Sequence, residues 1–514
     1  MNKCTICEKE TKNKCSNCSQ AFYCTAEHQK LDWKNHKSNC HPFKIAQDEE
    51  IGRYLTTTRD IKPFEIILQE EPLVRGPSQI TAPVCLGCLN TIDSNQYINC
   101  EKCNWPICEE QCGNCSEHIA ECAFFSQREY KVNIKEFINP HPLYQCVSII
   151  RCLLLSESNP HNWNKFEQLE SLEEKRRGSM QWKADVDHIA AFIPKFFKTT
   201  KYSEDHIMKC VGIFQINGHE VPTSDPPHVA VFHKASYLEH SCTPNLVKTF
   251  TKKGKIILWA LKPIKKNTHL SICYTDAVWN TAERQNHLMQ TKLFVCKCER
   301  CVDVSELNTN YNAIKCGNAD CKGLVLPSDP KCLDAVWNCN RCNRSEEKFS
   351  VNRKLEQAKA DLQAMDKTAK NCLRYLNHYQ KWLPSFHYYM CEVKIHLVQL
   401  LGKDPKELMV LSEEHLNMKI TYSKELINLY EILAPCEVRL LGTLCFELHS
   451  AIAEQTRRIS SQMNTTPKAL LEESLHYVEK CVNYLQYESN IFIEGHILQQ
   501  ARINRDALNM VLKL

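Results

Sequence analysis

The sequence has no long apolar run, although it is 514 residues long and 43% hydrophobic. A helix that crosses a bilayer needs about 20 consecutive apolar residues, so the sequence predicts no membrane span. The N-terminus also lacks the apolar core of a signal peptide, because Cys4 follows almost at once. We therefore expect a folded protein of roughly three or four domains in the cytosol or nucleus, with no membrane partner.

The sequence also lacks a large excess of charge of either sign. Its formal net charge of +4 at pH 7 does not predict non-specific binding of nucleic acid. Sequence-specific DNA binding is not expected either, because no group of cysteines and histidines has the C-x2-4-C-x12-H-x3-5-H spacing of a DNA-binding zinc finger. Neither the net charge nor the ligand spacing therefore indicates a nucleic-acid partner.

Cysteine, in contrast, is abundant. The chain has 32 cysteines, and most of them lie in paired groups with short spacers, several beside histidines. A secreted disulfide protein is the alternative explanation, but it would not account for histidines at ligand spacing. The pattern predicts zinc.

The first cysteine cluster spans residues 4–40 and supplies eight potential ligands, enough for two tetrahedral zinc ions. Its last four ligands have x3 spacing within each pair, which places the members of a pair one helical turn apart. We expect an interleaved arrangement, with Cys4, Cys7, Cys24 and His28 on one zinc and Cys15, Cys18, His36 and Cys40 on the other.

This cluster, with the phrase FYCTAEHQKLDWKNHKSNC, resembles the MYND zinc finger, although His28 replaces the usual cysteine. So short a segment cannot build an adequate apolar core, so we expect the metals to supply its folding energy. The resemblance implies a peptide-binding surface near Gln29 and Trp33 for proline-rich motifs. A purely structural finger is the alternative.

A second cluster between residues 85 and 122 repeats this order of ligands. It predicts one zinc bound by Cys85, Cys88, Cys108 and Cys112, and another bound by Cys100, Cys103, His118 and Cys122. Cys115 is left over.

Before this cluster, residues 51–74 alternate polar and apolar side chains around Lys62-Pro63, a pattern that predicts a β-hairpin. After it, apolar runs between residues 124 and 210 predict helices.

Three later segments follow in order: VAVFHKASYLEHSCTPNLVKTF, KIILWALKPIKKNTHLSICYTD and FVCKCERC. They resemble the end of a SET domain, in which a pseudo-knot places a histidine–cysteine segment beneath a strand that carries a tyrosine. The resemblance implies a zinc site made by Cys242, Cys296, Cys298 and Cys301. A MYND insertion between two SET halves is typical of the SMYD family of lysine methyltransferases, which residues 51–301 resemble.

The resemblance implies a protein-lysine methyltransferase that uses S-adenosyl-L-methionine, with a histone or another protein as substrate. Methyl transfer needs a neutral amine aligned with the methyl group of the cofactor. Tyr274 would be the catalytic residue that orients the amine. The residues that would contact the cofactor are Arg53, Glu239, His240, Asn245 and Phe294.

Four features depart from the family pattern. Tyr54 replaces a glycine that lets the backbone approach the cofactor, and Glu239 replaces an asparagine. Residues 267–270 replace the family's GEEL, and Lys292 occupies a position that is often aromatic. These departures favour an alternative function, a catalytically weak or inactive adaptor that recruits proline-rich or corepressor partners through its fingers.

The last third of the sequence changes character. Cys316, Cys321, Cys339 and Cys342 resemble the ligands of a zinc ribbon, with Cys332 spare, and would hold a sixth zinc. Residues 351–514 contain only three glycines and four prolines, so we expect helices throughout. Thr466-Pro467 is a predicted helix start. The segment resembles the tetratricopeptide-like tail of the SMYD family, which implies that it packs against the SET core and walls a substrate cleft.

Together these patterns predict an α+β multidomain protein with zinc-rich fingers, a β-rich SET fold and an all-α tail. The expected divisions are a MYND finger (1–44), the first part of the SET domain (45–84), an inserted finger (85–122), a helical insertion (123–210), the SET core (211–284), a post-SET zinc segment (285–305), a zinc ribbon (306–350) and the helical tail (351–514).

Overall fold

The computed structural model describes residues 2–15, 21–40, 42–49, 51–127, 131–331, 335–463 and 467–513. Short strands and long helices alternate along the chain, and helices alone make up the tail. This arrangement confirms the predicted α+β class. None of the helices in these described ranges is long and apolar enough to cross a membrane.

The N-terminal finger consists of two short antiparallel strands and one helix: β1 (Asn2–Lys3), β2 (Glu10–Thr11) and α1 (Ala26–Cys40). Among the described residues of the finger, the buried cluster consists of Cys15, Tyr23 and Cys40, with Ala21 packed against them. A core this small cannot offset the loss of chain entropy, so metal ligation must supply much of the stability of the finger.

The first part of the SET domain has four strands: β3 (Phe43–Asp48), β4 (Gly52–Thr57), β5 (Ile66–Glu70) and β6 (Val74–Gly76). The hairpin predicted over residues 51–74 is wrong. Strand β4 pairs with the preceding β3, and β5 pairs with a strand near residue 256. The strands pair with segments other than each other because the linker after β4 forms a β-bridge with a later segment, between Ile61 and Ile264, and does not turn back on itself.

The inserted finger contains β7 (Ile98–Asn99), β8 (Pro106–Ile107), α2 (Glu110–Gly113) and α3 (Ser116–Phe125). Unlike the N-terminal finger, it shares its core with the rest of the domain. Trp105 is fully buried, and its ring lies 4.8 Å from that of Phe125 and 5.3 Å from that of Tyr144. The insertion is therefore an integral part of the SET body.

Helices fill the segment that follows. They are α4 (Tyr144–Ser158), α5 (Pro160–Phe166), α6 (Glu173–Arg176), α7 (Met180–Asp185), a π-helical turn (Val186–Ala190), α8 (Phe192–Phe197) and α9 (Glu204–Asn217). Helix α9 starts at the Ser203 cap, whose side chain accepts a hydrogen bond from the His206 amide. It continues to Asn217, and strand structure resumes at Gly218.

The remainder of the SET core has six strands and a 3-10 turn (Ala235–Tyr237). The strands are β9 (Gly218–Val221), β10 (His228–Val231), β11 (Glu239–His240), β12 (Leu246–Phe250), β13 (Ile256–Ala260) and β14 (Ser271–Ile272). The three-stranded sheets have the orders β6-β10-β9 and β12-β13-β5. Strands β11 and β14 pair in parallel, with the β12–β13 hairpin between them in sequence, as a knot-like crossing requires.

The post-SET segment contains α10 (Thr281–Lys292) and α11 (Glu299–Val302). A four-stranded antiparallel sheet follows, made of β15 (Ile314–Lys315), β16 (Leu324–Pro327), β17 (Trp337–Cys339) and β18 (Ser345–Glu346). The spare Cys332 lies outside the described residues.

Helices α12 to α19 form the tail: Lys348–Ala364, Ala369–Tyr379, Tyr388–Leu400, Pro405–Val410, Glu413–Leu433, Val438–Met463, Lys468–Leu485 and Ile493–Val511. Thr466 of the predicted helix start lies outside the described residues, and α18 begins after Pro467. The tail contacts the SET sheet: Val438 packs with Val247 and Trp259, and the Tyr487 hydroxyl donates to the Phe64 carbonyl at 2.6 Å.

Candidate active site and metal centres

The first predicted zinc site lies at the start of α1. The side chains of Cys4, Cys7, Cys24 and His28 present ligand atoms that all lie within 4.8 Å of one another. His28 Nδ1 is 3.2 Å from the Cys24 sulfur and 3.5 Å from the Cys4 sulfur. The histidine therefore occupies the position of the fourth ligand.

The second site of this finger includes Cys15, His36 and Cys40, which also lie within mutual reach. The Cys15 and Cys40 sulfurs are 3.6 Å apart. The fourth predicted ligand, Cys18, falls outside the described residues. Gln29, expected near a peptide groove, donates to the Cys15 sulfur at 3.5 Å and so helps to orient this ligand.

In the inserted finger, Cys100, Cys103, His118 and Cys122 form another group within 4.8 Å. His118 Nε2 lies 3.7 Å from the Cys103 sulfur, while its Nδ1 faces a Glu121 oxygen at 3.2 Å. A carboxylate on the second nitrogen fixes the ring orientation of a metal-binding histidine. Sequence reasoning missed Glu121, although its place three residues after His118 puts both on one helix face.

The other site of the inserted finger involves Cys85, Cys88, Cys108 and Cys112. The Cys88 and Cys108 sulfurs are 3.8 Å apart, and the Cys108 amide donates to the Cys85 sulfur at 3.3 Å. Burial, and then the charge of Cys85, raise the pKa of Cys112 to about 11. The left-over Cys115 caps α3, because its sulfur accepts a hydrogen bond from the His118 amide.

Cys242 reaches the post-SET triplet Cys296, Cys298 and Cys301, and the four sulfurs lie within 4.8 Å of one another. The Cys242 and Cys301 sulfurs are 3.4 Å apart. Arg284, which sequence reasoning did not single out, is fully buried and donates to the Cys242 sulfur at 3.2 Å. Its cation partly neutralises the thiolates at this site.

The ribbon group of Cys316, Cys321, Cys339 and Cys342 is also assembled. Zinc–sulfur bonds of about 2.3 Å place tetrahedral sulfurs about 3.8 Å apart. Neighbouring sulfur pairs in these clusters, such as Cys7–Cys24 and Cys242–Cys301, are separated by 3.4 to 3.8 Å. The donor sets with four described ligands therefore fit zinc in both number and spacing.

Tyr274 follows β14 and lies beside the knot. Its hydroxyl donates to the Leu238 carbonyl, and its amide donates to His240 Nδ1 at 3.0 Å. Its ring centroid is 5.2 Å from His240 and 6.5 Å from Phe294. The structure thus brings three of the predicted site residues together, and burial raises the pKa of the tyrosine above its ordinary range.

A cavity of about 340 Å³ opens beside Tyr274. Helix α9 and strand β9 form one wall, and the end of α10 forms another. Tyr274 lines this cavity, whereas His240 and Phe294 do not. The tyrosine therefore contacts both the cavity and a separate pair of aromatic rings.

Lys292, the last residue of α10, projects a cation into the cavity wall. Its Nζ donates to the carbonyl oxygens of Gln215 at 3.3 Å and Ile216 at 2.7 Å. Both oxygens belong to the last turn of α9, where carbonyl groups have no hydrogen-bond partner within the helix. It also lies 5.8 Å from the centroid of the Tyr274 ring. Burial, and then the charge of Lys248, lower the pKa of Lys292 to about 8.

His240 and Asn245 hold the knot. His240 Nε2 lies 3.3 Å from the Cys242 sulfur, and burial lowers the pKa of His240 to about 4. Asn245 donates to the His269 carbonyl at 2.7 Å and accepts from the Ser271 amide at 3.0 Å. These contacts tie the segment after β11 to the strand that carries Tyr274.

The remaining predicted cofactor residues lie beside β4. Glu239 accepts from His269 Nδ1 at 2.7 Å, and the Tyr54 ring stacks on His269 at 4.2 Å. Two departures from the family pattern therefore satisfy each other through His269, so Glu239 is not an isolated buried charge. Arg53 instead donates to the Tyr237 hydroxyl at 3.3 Å and does not line the cavity.

Comparison with known proteins agrees with this arrangement. The sequence profile of the MYND finger matches residues 4–40, and that of the SET domain matches residues 52–275. The Drosophila melanogaster SET domain-containing protein SmydA-8, isoform A, is 26% identical over 370 residues, which cover 69% of this chain and 77% of that protein.

Two further relatives carry enzyme names. The Arabidopsis thaliana histone-lysine N-methyltransferase ASHR1 is 26% identical over 310 residues, covering 57% of this chain and 62% of the relative. Human N-lysine methyltransferase SMYD2 is 22% identical over 305 residues, covering 58% and 50%. A solved structure of Rubisco LSMT bound to AdoMet aligns with 94% of this chain and 93% of its own chain, at 11% sequence identity. The TM-score of this alignment is 0.27.

A parallel strand crossing, a cysteine clamp and a tyrosine at the crossing define a SET domain protein that also carries a MYND finger. The chain belongs to the SMYD family of SET and MYND domain proteins.

Proposed function

We propose that this protein is a protein-lysine N-methyltransferase that uses S-adenosyl-L-methionine. The observation that carries the proposal is the position of Tyr274, which lines a cavity and also contacts the His240–Phe294 pair. A methyltransferase of this kind must receive the amine and the methyl donor from separate directions and join them at one point. Relatives named as lysine methyltransferases support the proposal.

The residues on the knot side of Tyr274 fit the cofactor. Phe294 offers a partly exposed aromatic face to a purine, and Asn245 and Glu239 supply polar groups nearby. When bound there, the cofactor supplies an electrophilic methyl group. The protein supplies alignment and partial shielding from water, because Tyr274 and His240 are both half-buried.

The cavity side would receive the target lysine. Tyr274 can orient the amine through its hydroxyl, and the Lys292 cation close by disfavours protonation of a second amine. A neutral amine is the form that attacks a methyl group. Lys292 therefore has a chemical role that is compatible with activity, although it departs from the family pattern.

The test combines cofactor binding with turnover. Calorimetry on zinc-loaded protein should detect S-adenosyl-L-methionine binding, and transfer of labelled methyl groups to a histone mixture should be observed. Tyr274→Phe should abolish transfer and leave cofactor affinity largely intact, whereas Tyr477→Phe, a partly buried tyrosine of α18, should change neither. No binding at millimolar cofactor would eliminate the enzyme and leave the adaptor function.

The adaptor function rests on the N-terminal finger. Helix α1 exposes Leu31 (69%) and Trp33 (37%), side chains of the kind that bind peptides. We propose that this face binds proline-rich or corepressor segments, in the cytosol and the nucleus. Titration with a proline-rich peptide should show binding that Trp33→Ala abolishes and that exposed Lys30→Ala preserves. Equal affinity in both variants would exclude the Trp33 face as the binding site, and no binding by the wild-type protein would make the finger purely structural.

A further inference from the structure

A second cavity, of about 330 Å³, lies between the SET sheet and the helical tail. It shares Glu220, Lys248 and Cys273 with the cavity beside Tyr274. The two cavities are therefore parts of one cleft. The tail contributes Cys436, Glu437, Val438, Arg439 and Glu488 to the second one.

Carboxylates outnumber cations around this second cavity. Its acidic residues are Glu220, Asp276, Glu437 and Glu488, and its basic residues are Lys248 and Arg439. Arg439 is already engaged, because its guanidinium lies 2.8 Å from a Glu488 oxygen and stacks over Phe492 at 4.3 Å. The remaining carboxylates face Lys248 alone among the cations that line the cavity.

One carboxylate oxygen is buried without a partner. Glu488 is only 8% exposed and lines the cavity, yet its Oε1 has no hydrogen-bond partner among the described residues, while Oε2 is held by Arg439. A buried polar atom without a partner costs free energy, which a donor from outside the chain can recover. The Glu488 carboxylate is therefore only half satisfied among the described residues, and it adds a largely buried acid to the lining of the cavity.

Glu437 supports the same conclusion. One of its oxygens accepts the Ala277 amide at 3.3 Å, so the side chain is held at the junction between the tail and the SET core. Burial, and then the neighbouring charge of Asp276, raise the pKa of Glu437 to about 7. The charged carboxylate is destabilised where it stands, and a bound cation would stabilise it.

The apolar part of the lining restricts the type of cation. Pro222, Leu246, Phe250 and Val438 line the cavity beside the acids. A small hydrated ion gains nothing from such surface, whereas the alkyl stem of a long basic side chain packs against it. An arginine also offers five donors in a planar fork, which suits separate carboxylates better than a point charge does.

We propose that this second cavity binds a basic side chain, arginine above all, that lies a few positions from the target lysine in the protein substrate. The inference rests on the proposed function and specifies its substrate class. Because Cys273 lines both cavities and directly precedes Tyr274, a single extended peptide can place one side chain in each.

Fluorescence anisotropy with short labelled peptides tests the proposal directly. Each peptide carries one lysine in an alanine and serine background, and an arginine is placed in turn at each of about three positions on either side. The full-length, zinc-loaded protein should bind at least one arginine peptide tenfold or more tightly than the arginine-free peptide. Glu437→Gln and Asp276→Asn, which keep the size of the side chains, should each reduce that ratio severalfold.

Glu407→Gln is the matched control, because Glu407 is a half-exposed, ion-paired carboxylate on α15 that does not line the cavity. It should leave the ratio unchanged. A wild-type protein without arginine preference, or a preference that persists undiminished in both cavity variants, overturns the proposal. A loss that is equal in Glu407→Gln does the same, since it would reflect overall charge.

Methylation separates this proposal from the proposed function. If cofactor binds and the arginine-free peptide is methylated without any arginine preference, the cavity assignment is wrong and the enzyme stands. If arginine preference appears in binding but no peptide is methylated and no cofactor binds, the cavity assignment stands and the enzyme is wrong.

Discussion

Replacing Glu306 with alanine tests how strongly buried ion pairs hold the post-SET segment in place. Glu306, Arg284 and Arg300 are all fully buried. Glu306 accepts from Arg284 at 3.1 Å, from Arg300 at 2.8 Å and from the Thr281 amide at 3.2 Å. The two arginines raise its ionised fraction, because their charges outweigh burial and lower the pKa of the carboxyl.

The magnitude follows from what each arginine retains. Arg284 keeps the thiolate of Cys242, but Arg300 keeps only carbonyl oxygens, including that of Leu433 in the tail at 2.9 Å. Removing one partner of a buried ion pair typically costs about 3–5 kcal/mol, because the other charge stays uncompensated. Glu306→Ala should therefore loosen both the zinc clamp and the attachment of the tail.

Urea unfolding monitored by tryptophan fluorescence, with released zinc measured by a chromophoric chelator, provides the assay. With slopes of about 1–3 kcal/mol per molar urea, the first transition should move down by about 1 M or more, together with earlier zinc release. Asp506→Ala, which removes an exposed ion pair with Arg505, should not move it measurably. Equal midpoints for the two variants would refute the reasoning.

Three further outcomes are expected. Lys292→Met should move the acidic limb of the pH–rate profile to higher pH, because the Lys292 cation, whose pKa is about 8, lowers the pKa of the incoming amine. Lys292→Arg keeps a cation and should leave the limb in place. An unmoved limb in the methionine variant contradicts the assignment. A strong zinc chelator should abolish hydrogen-exchange protection across 26–40 before the tail loses its own, since the N-terminal finger has almost no apolar core; simultaneous loss would argue against metal-dependent folding. Glu121→Gln should weaken one zinc of the inserted finger about 10–100-fold in chelator competition, whereas exposed Glu109→Gln should not.

The sequence predicts the metal clusters well because their ligands are local. Pairs such as Cys4 and Cys7, or Cys24 and His28, lie within one turn, so their spacing alone determines that they can bind the same ion. The long apolar periodicity of the tail predicts its helices for a similar reason. The recognised knot segment likewise places Tyr274 next to His240.

Other features depend on contacts between segments that are distant in sequence. The alternating pattern of residues 51–74 indicates strands but not their partners, and both strands pair outside the predicted hairpin. Lys292 appeared only as a departure from a family pattern, since nothing local shows that its ammonium would reach the end of α9.

The amino-acid sequence by itself thus predicted which residues form the candidate metal-ligand groups and which segment carries Tyr274, because the short spacers within each ligand pair leave little conformational choice. Only the tertiary structure decided the charge of the cleft. Asp276 precedes Ala277, which lies 160 residues before Glu437 along the chain. The two carboxylates meet only when the tail packs on the SET sheet. Burial there raises the pKa of Glu437, an effect that no local pattern encodes.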